Sequence, residues 1–116
     1  MHLRITIYTY GRRSDAQVKH TLKGDTLTVW LEGELDHHSA KATKETLSAV
    51  LASAKVKRLV LDLKHLSFMD SSGIGVVLGR YNELVKRGGS VAVRHPCDRI
   101  DRIFGMSGLY QIVEKL

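Results

Sequence analysis

The sequence predicts an α/β fold, a sheet with parallel neighbours covered by helices. Two observations carry that expectation. Strand-like and helix-like periodicities alternate from residue 39 onward. The run RLVLDL at 58–63 is apolar almost throughout, as suits a strand buried on both faces. Length makes the domain single, because 116 residues supply one sizeable core and too few for two.

The elements follow in order. Residues 2–10, HLRITIYTY, alternate with Leu3, Ile5 and Ile7 on one side, and the polar break GRRSD follows at 11–15. QVKHTL at 17–22 and TLTVWLEG at 26–33 read as strands joined by a turn at Gly24-Asp25, hence a hairpin. The period changes over 39–54, where Leu47, Val50, Leu51 and Ala54 extend a stripe begun by Ala40 and Thr43. Lys41, Lys44 and Glu45 lie off that stripe, so the segment is an amphipathic helix. After the 58–63 strand, Ile74, Val77, Leu78, Tyr81 and Val85 form the apolar stripe of a second helix, ended by Gly88-Gly89 as a left-handed cap requires. SVAVR at 90–94 is a strand. Pro96 suits the first turn of a third helix, with Ile100, Ile103 and Phe104 facing inward, and LYQIV closes the chain as a short strand or helical turn.

Composition narrows the function. The chain is 43% hydrophobic and 26% charged, the balance of an ordinary globular domain. Its net charge of +6 comes from scattered basic residues without interleaved aromatics, which argues against nucleic-acid binding. The one cysteine, Cys97, excludes an internal disulfide and is expected to be a half-buried bystander. No apolar run approaches the ~18 residues of a membrane span, and the N-terminus lacks a secretory pattern. A cytoplasmic protein is the expectation.

The stretch LSFMDSSGIGVVLGRY at 66–81 breaks the rules of an ordinary helix. Gly73, Gly75 and Gly79 each cost a helix interior about 0.8–1 kcal/mol relative to alanine. On a helical wheel Ser72, Gly75, Val76 and Gly79 fall opposite the apolar stripe. That outer face is expected to be bare apart from an exposed Val76, which fits either a docking surface or close packing against another element of the chain. Asp70-Ser71-Ser72 stands at the helix start. Asp70 or Ser71 can cap the free N–H groups there, or a serine can accept a phosphate, whose charge a helix N-terminus tolerates.

Enzyme readings fit poorly. The spacing Gly73-x-Gly75-x-x-x-Gly79 is one residue too long for a dinucleotide fingerprint, and Arg94 ends the next strand where an acidic residue belongs. The nucleophile elbow G-x-S-x-G is absent. Asp36-His37-His38 has no second cluster to complete a metal site. No catalytic residue, metal or cofactor is expected.

GELDHHSA at 33–40, the 66–81 stretch and MSGL at 106–109 together resemble the anti-sigma factor antagonists of the STAS-domain family, the sporulation antagonists above all. The likeness runs from about residue 17 to the C-terminus. It implies a STAS-like mixed β-sheet with flanking α-helices over 16–116, preceded by a 1–15 extension that is an extra strand or a tail. It also implies a partner-switching cycle. The unphosphorylated antagonist binds an anti-sigma factor, itself a serine kinase, and so frees a sigma factor. Phosphorylation blocks that binding, and a PP2C-type phosphatase reverses it. A sporulation pathway is the first expectation and a general stress response the alternative. Carried over by motif, Ser71 is the phosphoacceptor, flanked by Asp70 and Ser72, and the loop of Asp36, His37 and His38 contributes to the partner surface; the bare helix face read from the wheel adds Gly75, Val76 and Gly79 to it. The sporulation antagonists continue into a further C-terminal helix, whose absence would leave part of the sheet or of the third helix less covered.

Overall fold

A computed structural model describes residues 3–8, 17–53 and 55–116; Ala54 and the 11–15 break lie outside the described residues. Six strands form one sheet in sequence order: β1 (Leu3–Tyr8), β2 (Gln17–Lys23), β3 (Thr26–Leu35), β4 (Arg58–Met69), β5 (Ser90–Arg94) and β6 (Glu114–Lys115). Among the described residues three α-helices, α1 (Ala40–Ser53), α2 (Ser71–Lys86) and α3 (Asp98–Met106), link the later strands. The sheet is mixed. β1, β2 and β3 pair antiparallel, while β3, β4, β5 and β6 pair parallel.

Local chemistry sets this pattern. Gly24 takes φ 62°, which lets a tight turn join β2 to β3 antiparallel. Each later strand is followed by a helix, and a helical crossover returns the chain parallel. Along β3 the buried Leu27, Val29 and Leu31 alternate with half-exposed Thr26, Thr28 and Trp30, so one face carries the core. In the middle of β4, Leu59 to Leu63 are all buried, as the apolar run requires. Thr43, Leu47 and Leu51 of α1 are buried together, as their spacing predicts.

The strands outrun their sequence signals. β3 extends to Leu35 and β4 to Met69, past the expected ends at residues 33 and 63. Register shifts between Trp30 and Glu32 and between Gly33 and Glu34 break the alternation there, and Gly33 adopts φ 94°. The third helix begins at Asp98, so Pro96 precedes it instead of occupying its first turn. Cys97, extended at ψ 166°, is its N-cap and is exposed, not half-buried. Of the two endings foreseen for LYQIV, the helical turn forms, a 3-10 turn over Leu109–Gln111, and the short strand β6 comes only beyond it at Glu114–Lys115.

α2 sits turned from the expected angle. Gly73, Val76, Val77, Arg80 and Leu84 are its buried residues. Leu78 and Val85, expected inward, are 42% and 47% exposed, and Val76, expected outward, is 5% exposed. Close approach at Gly73 accounts for the turn. A Cβ there would stand 2.6 Å from Met69 Cγ and 2.8 Å from the Leu35 carbonyl oxygen, so only glycine lets this side of α2 press against the ends of β3 and β4.

Candidate partner-docking and phosphorylation site

β3 and β4 are parallel neighbours, and Leu35 lies opposite Met69. The segments that follow them therefore emerge at the same end of the sheet. This brings Asp36-His37-His38 beside Asp70-Ser71-Ser72, although 33 residues separate His37 from Asp70.

Asp70 joins the two segments. Its Oδ1 accepts from the backbone N–H of Ser72 at 2.8 Å and of Gly73 at 3.3 Å, which caps α2. Its Oδ2 accepts from the backbone N–H of His37 at 3.1 Å. The Asp70 N–H donates to the Leu35 carbonyl at 3.3 Å. One side chain thus fixes both the helix start and the neighbouring loop.

Asp36 organises that loop. Its Oδ1 accepts from the N–H groups of His38 at 2.9 Å and Ser39 at 3.1 Å. Ser39 Oγ accepts from the Asp36 N–H at 3.0 Å and donates to the Glu34 carbonyl at 2.9 Å. Desolvation pushes the Asp36 carboxyl up, but the N–H groups of Ser39 and His38 outweigh it and hold the group below the usual carboxylate range. His37 and His38 remain exposed, with ring centroids 5.8 Å apart. Among the described residues no group of three or more His, Cys, Asp or Glu is placed to hold a metal.

With Asp70 as the cap, Ser71 is the first helical residue and is exposed, while Ser72 is half-buried. The three glycines divide. Gly73 is packed against the chain itself, whereas a Cβ at Gly75 or Gly79 would meet nothing within 4 Å. Gly75 and Gly79 form one wall of a groove between α1 and α2, with Ser72 near its start and Val76 along it. The expected exposed valine is therefore corrected to a buried one, covered where α2 meets α1.

Sequence reasoning missed the opposite wall. Lys41 and Lys44 of α1 line the groove, and so does Arg80 of α2. The lysines read as an ordinary solvated face; their spacing of three was the only signal, and it does not say what lies across from them. Arg80 is buried, with its guanidinium 2.9 Å from Glu83 Oε1. No helix among the described residues is long and apolar enough to cross a membrane.

A mixed sheet with flanking helices, its Asp-Ser-Ser turn capped onto a neighbouring loop, defines a class. The STAS-domain family model matches residues 17–116, and the chain belongs to that family. Among particular relatives, it is 41% identical over 87 residues to the anti-sigma F factor antagonist of Paenibacillus polymyxa, covering 75% of this chain and 74% of that one. It is 33% identical over 88 residues to the anti-sigma-B factor antagonist of Bacillus subtilis strain 168, covering 76% of this chain and 79% of that one. The anti-sigma factor antagonist SpoIIAA in its unphosphorylated form superposes with a TM-score of 0.75 at 32% identity, over 87% of each chain. The Bacillus cell fate determinant SpoIIAA in its phosphorylated form superposes at 0.68, again at 32% identity, over 87% of this chain and 90% of that one.

Proposed function

We propose that this chain is an anti-sigma factor antagonist switched by phosphorylation of Ser71. Unphosphorylated, it binds an anti-sigma factor that is also a serine kinase and so frees a sigma factor. Phosphorylated, it lets go, and a PP2C-type phosphatase restores it. It works in the cytoplasm as a binding protein, without an enzymatic step of its own and without contacting nucleic acid or membrane. The partner surface comprises Asp36, His37, His38, Asp70, Ser72, Gly75, Val76 and Gly79, with buried Val76 supporting the groove from within.

The observation that carries this reading is the exposed Ser71 hydroxyl at the first turn of α2, beside a cap that Asp70 alone provides. A phosphate there adds about −1.5 to −2 charges at pH 7. The helix N-terminus accommodates that charge without refolding. Yet the charge sits next to the Asp70 carboxylate and at the rim of the glycine-walled groove, so it changes what the surface attracts. The relative named for the sigma-F system at 41% identity favours a sporulation pathway. The sigma-B relative at 33% keeps a general stress-response pathway as the second reading.

Calorimetry with the anti-sigma F factor of Paenibacillus polymyxa and the anti-sigma-B factor of Bacillus subtilis tests the proposal. The parent chain should bind one of them, and Gly75→Arg should bind it at least about tenfold more weakly at a melting temperature no lower than the parent's. Equal affinity of parent and variant would remove the α2 face from the partner surface.

A further inference from the structure

The groove between α1 and α2 carries a charge pattern that close approach at its glycines does not explain. Exposed Lys41 and Lys44 stand on one wall; Gly75 and Gly79, on the other, project nothing. Arg80, whose side chain is 4% exposed, lies between them. Its guanidinium meets Glu83 Oε1 at 2.9 Å and reaches the Lys44 carbonyl only at 3.5 Å, and its buried Nε has no hydrogen-bond partner among the described residues. A guanidinium offers five N–H donors, and a buried donor left unpaired is costly. Glu83 Oε1 also accepts from Ser48 Oγ at 2.9 Å, so one carboxylate ties α2 to α1 while the Arg80 Nε stays outside both contacts. Lys41, Lys44 and Arg80 line the groove, and no acidic side chain stands among its described lining residues.

We infer that this groove takes an acidic segment of the protein partner, whose carboxylates pair with Lys41 and Lys44 and draw on the unused donors of Arg80. The inference rests on the antagonist reading and adds the chemistry of the partner to it. Charge complementarity carries it: an excess of buried and rim cations selects carboxylates and disfavours a basic segment. Gly75 and Gly79 let the segment's backbone come close, and no side chain of α2 intervenes. Ser72 lines the groove and Ser71 precedes it, so a phosphate on Ser71 places negative charge at the mouth of a site built for negative charge. Expulsion of the partner then needs no movement of the fold.

The test uses the full chain, 15N-labelled, and two probes: a short capped peptide of Leu, Ala and Glu, and its twin with Gln for Glu. The Glu peptide should shift the amides of Lys41, Lys44, Gly75 and Gly79 and bind about tenfold more tightly than the twin. Raising salt from about 50 to about 300 mM should shrink that margin. Lys41→Glu combined with Lys44→Glu, two exposed positions that leave the core intact, should abolish it. Equal binding of both peptides, shifts confined to other surfaces, or a margin that survives the double substitution would each overturn the inference. A second arm titrates parent and double variant with the Paenibacillus polymyxa anti-sigma F factor. A loss of about tenfold in the variant supports the groove as the partner site, and equal affinity overturns it. A factor that binds neither chain contradicts the antagonist reading, while the peptide titration still decides the groove.

Discussion

Asp70, Gly73 and His20 each make a separable claim at the scale of single residues. Asp70→Ala removes a helix cap and the anchor of the His37 loop together, so it should cost about 0.5–2 kcal/mol for the cap and somewhat more for the loop, read by urea denaturation. Asp70→Asn keeps an acceptor oxygen and should recover most of the loss. The glycines predict opposite signs. Gly73→Ala forces a Cβ against the Leu35 carbonyl and should destabilise by about 1–3 kcal/mol. Gly75→Ala meets open space and should stabilise by up to ~1 kcal/mol through helix propensity. A thermal melt of both variants checks the contrast. His20 is buried on β2, and neither ring nitrogen has a hydrogen-bond partner among the described residues; desolvation lowers its pKa from 6.5. The unfolded chain then takes up a proton that the folded chain refuses. Stability should therefore be full above pH about 6.5 and fall below it, by at most about 1.4 kcal/mol per pH unit, until the lowered pKa is reached. His20→Leu should flatten that dependence in urea melts run between about pH 5 and 7.

At the scale of elements, the sequence was legible wherever period and burial coincide. α1 shows this: Thr43, Leu47 and Leu51 lie on the side their spacing assigns. α2 shows the limit. Its apolar stripe predicted Leu78 and Val85 inside, but the missing side chain at Gly73 let the helix settle on a different side. Periodicity counts what side chains gain by burial and has no measure of how closely a bare backbone can approach. The same limit hid the groove, because the lysines of α1 face glycines that belong to another element. By contrast, the Asp-Ser-Ser turn was legible as a capped helix start, although only the pairing of β3 with β4 brings His37 to Asp70. β1 carries its own prediction. It pairs antiparallel with β2 over Leu3 to Tyr8, at the edge of the sheet and far in sequence from Ser71. We propose that β1 supports the sheet and that residues 1–15 take no part in switching. A chain starting at Ala16 should melt several degrees lower, since a domain of this size loses about 4 °C per kcal/mol, yet be phosphorylated at the parent rate. A folded truncation that loses phosphorylation would assign the segment to the partner surface.

For the whole molecule, the switch we propose is electrostatic and local, set on a scaffold that need not change. Parallel β3 and β4 deliver two loops to one end of the sheet, Asp70 ties them, and α2 leaves Gly75 and Gly79 open beside them. The account stands on the identity of the phosphorylated residue, and one measurement reaches it directly. The parent chain, Ser71→Ala and Ser72→Ala are incubated with the anti-sigma F or anti-sigma-B kinase and Mg-ATP, then examined by intact mass and phosphosite mapping. The parent and Ser72→Ala should gain one phosphate, mapped to Ser71, and Ser71→Ala should gain none. Full phosphorylation of Ser71→Ala, or a phosphate mapped to Ser72 in the parent, would contradict the account.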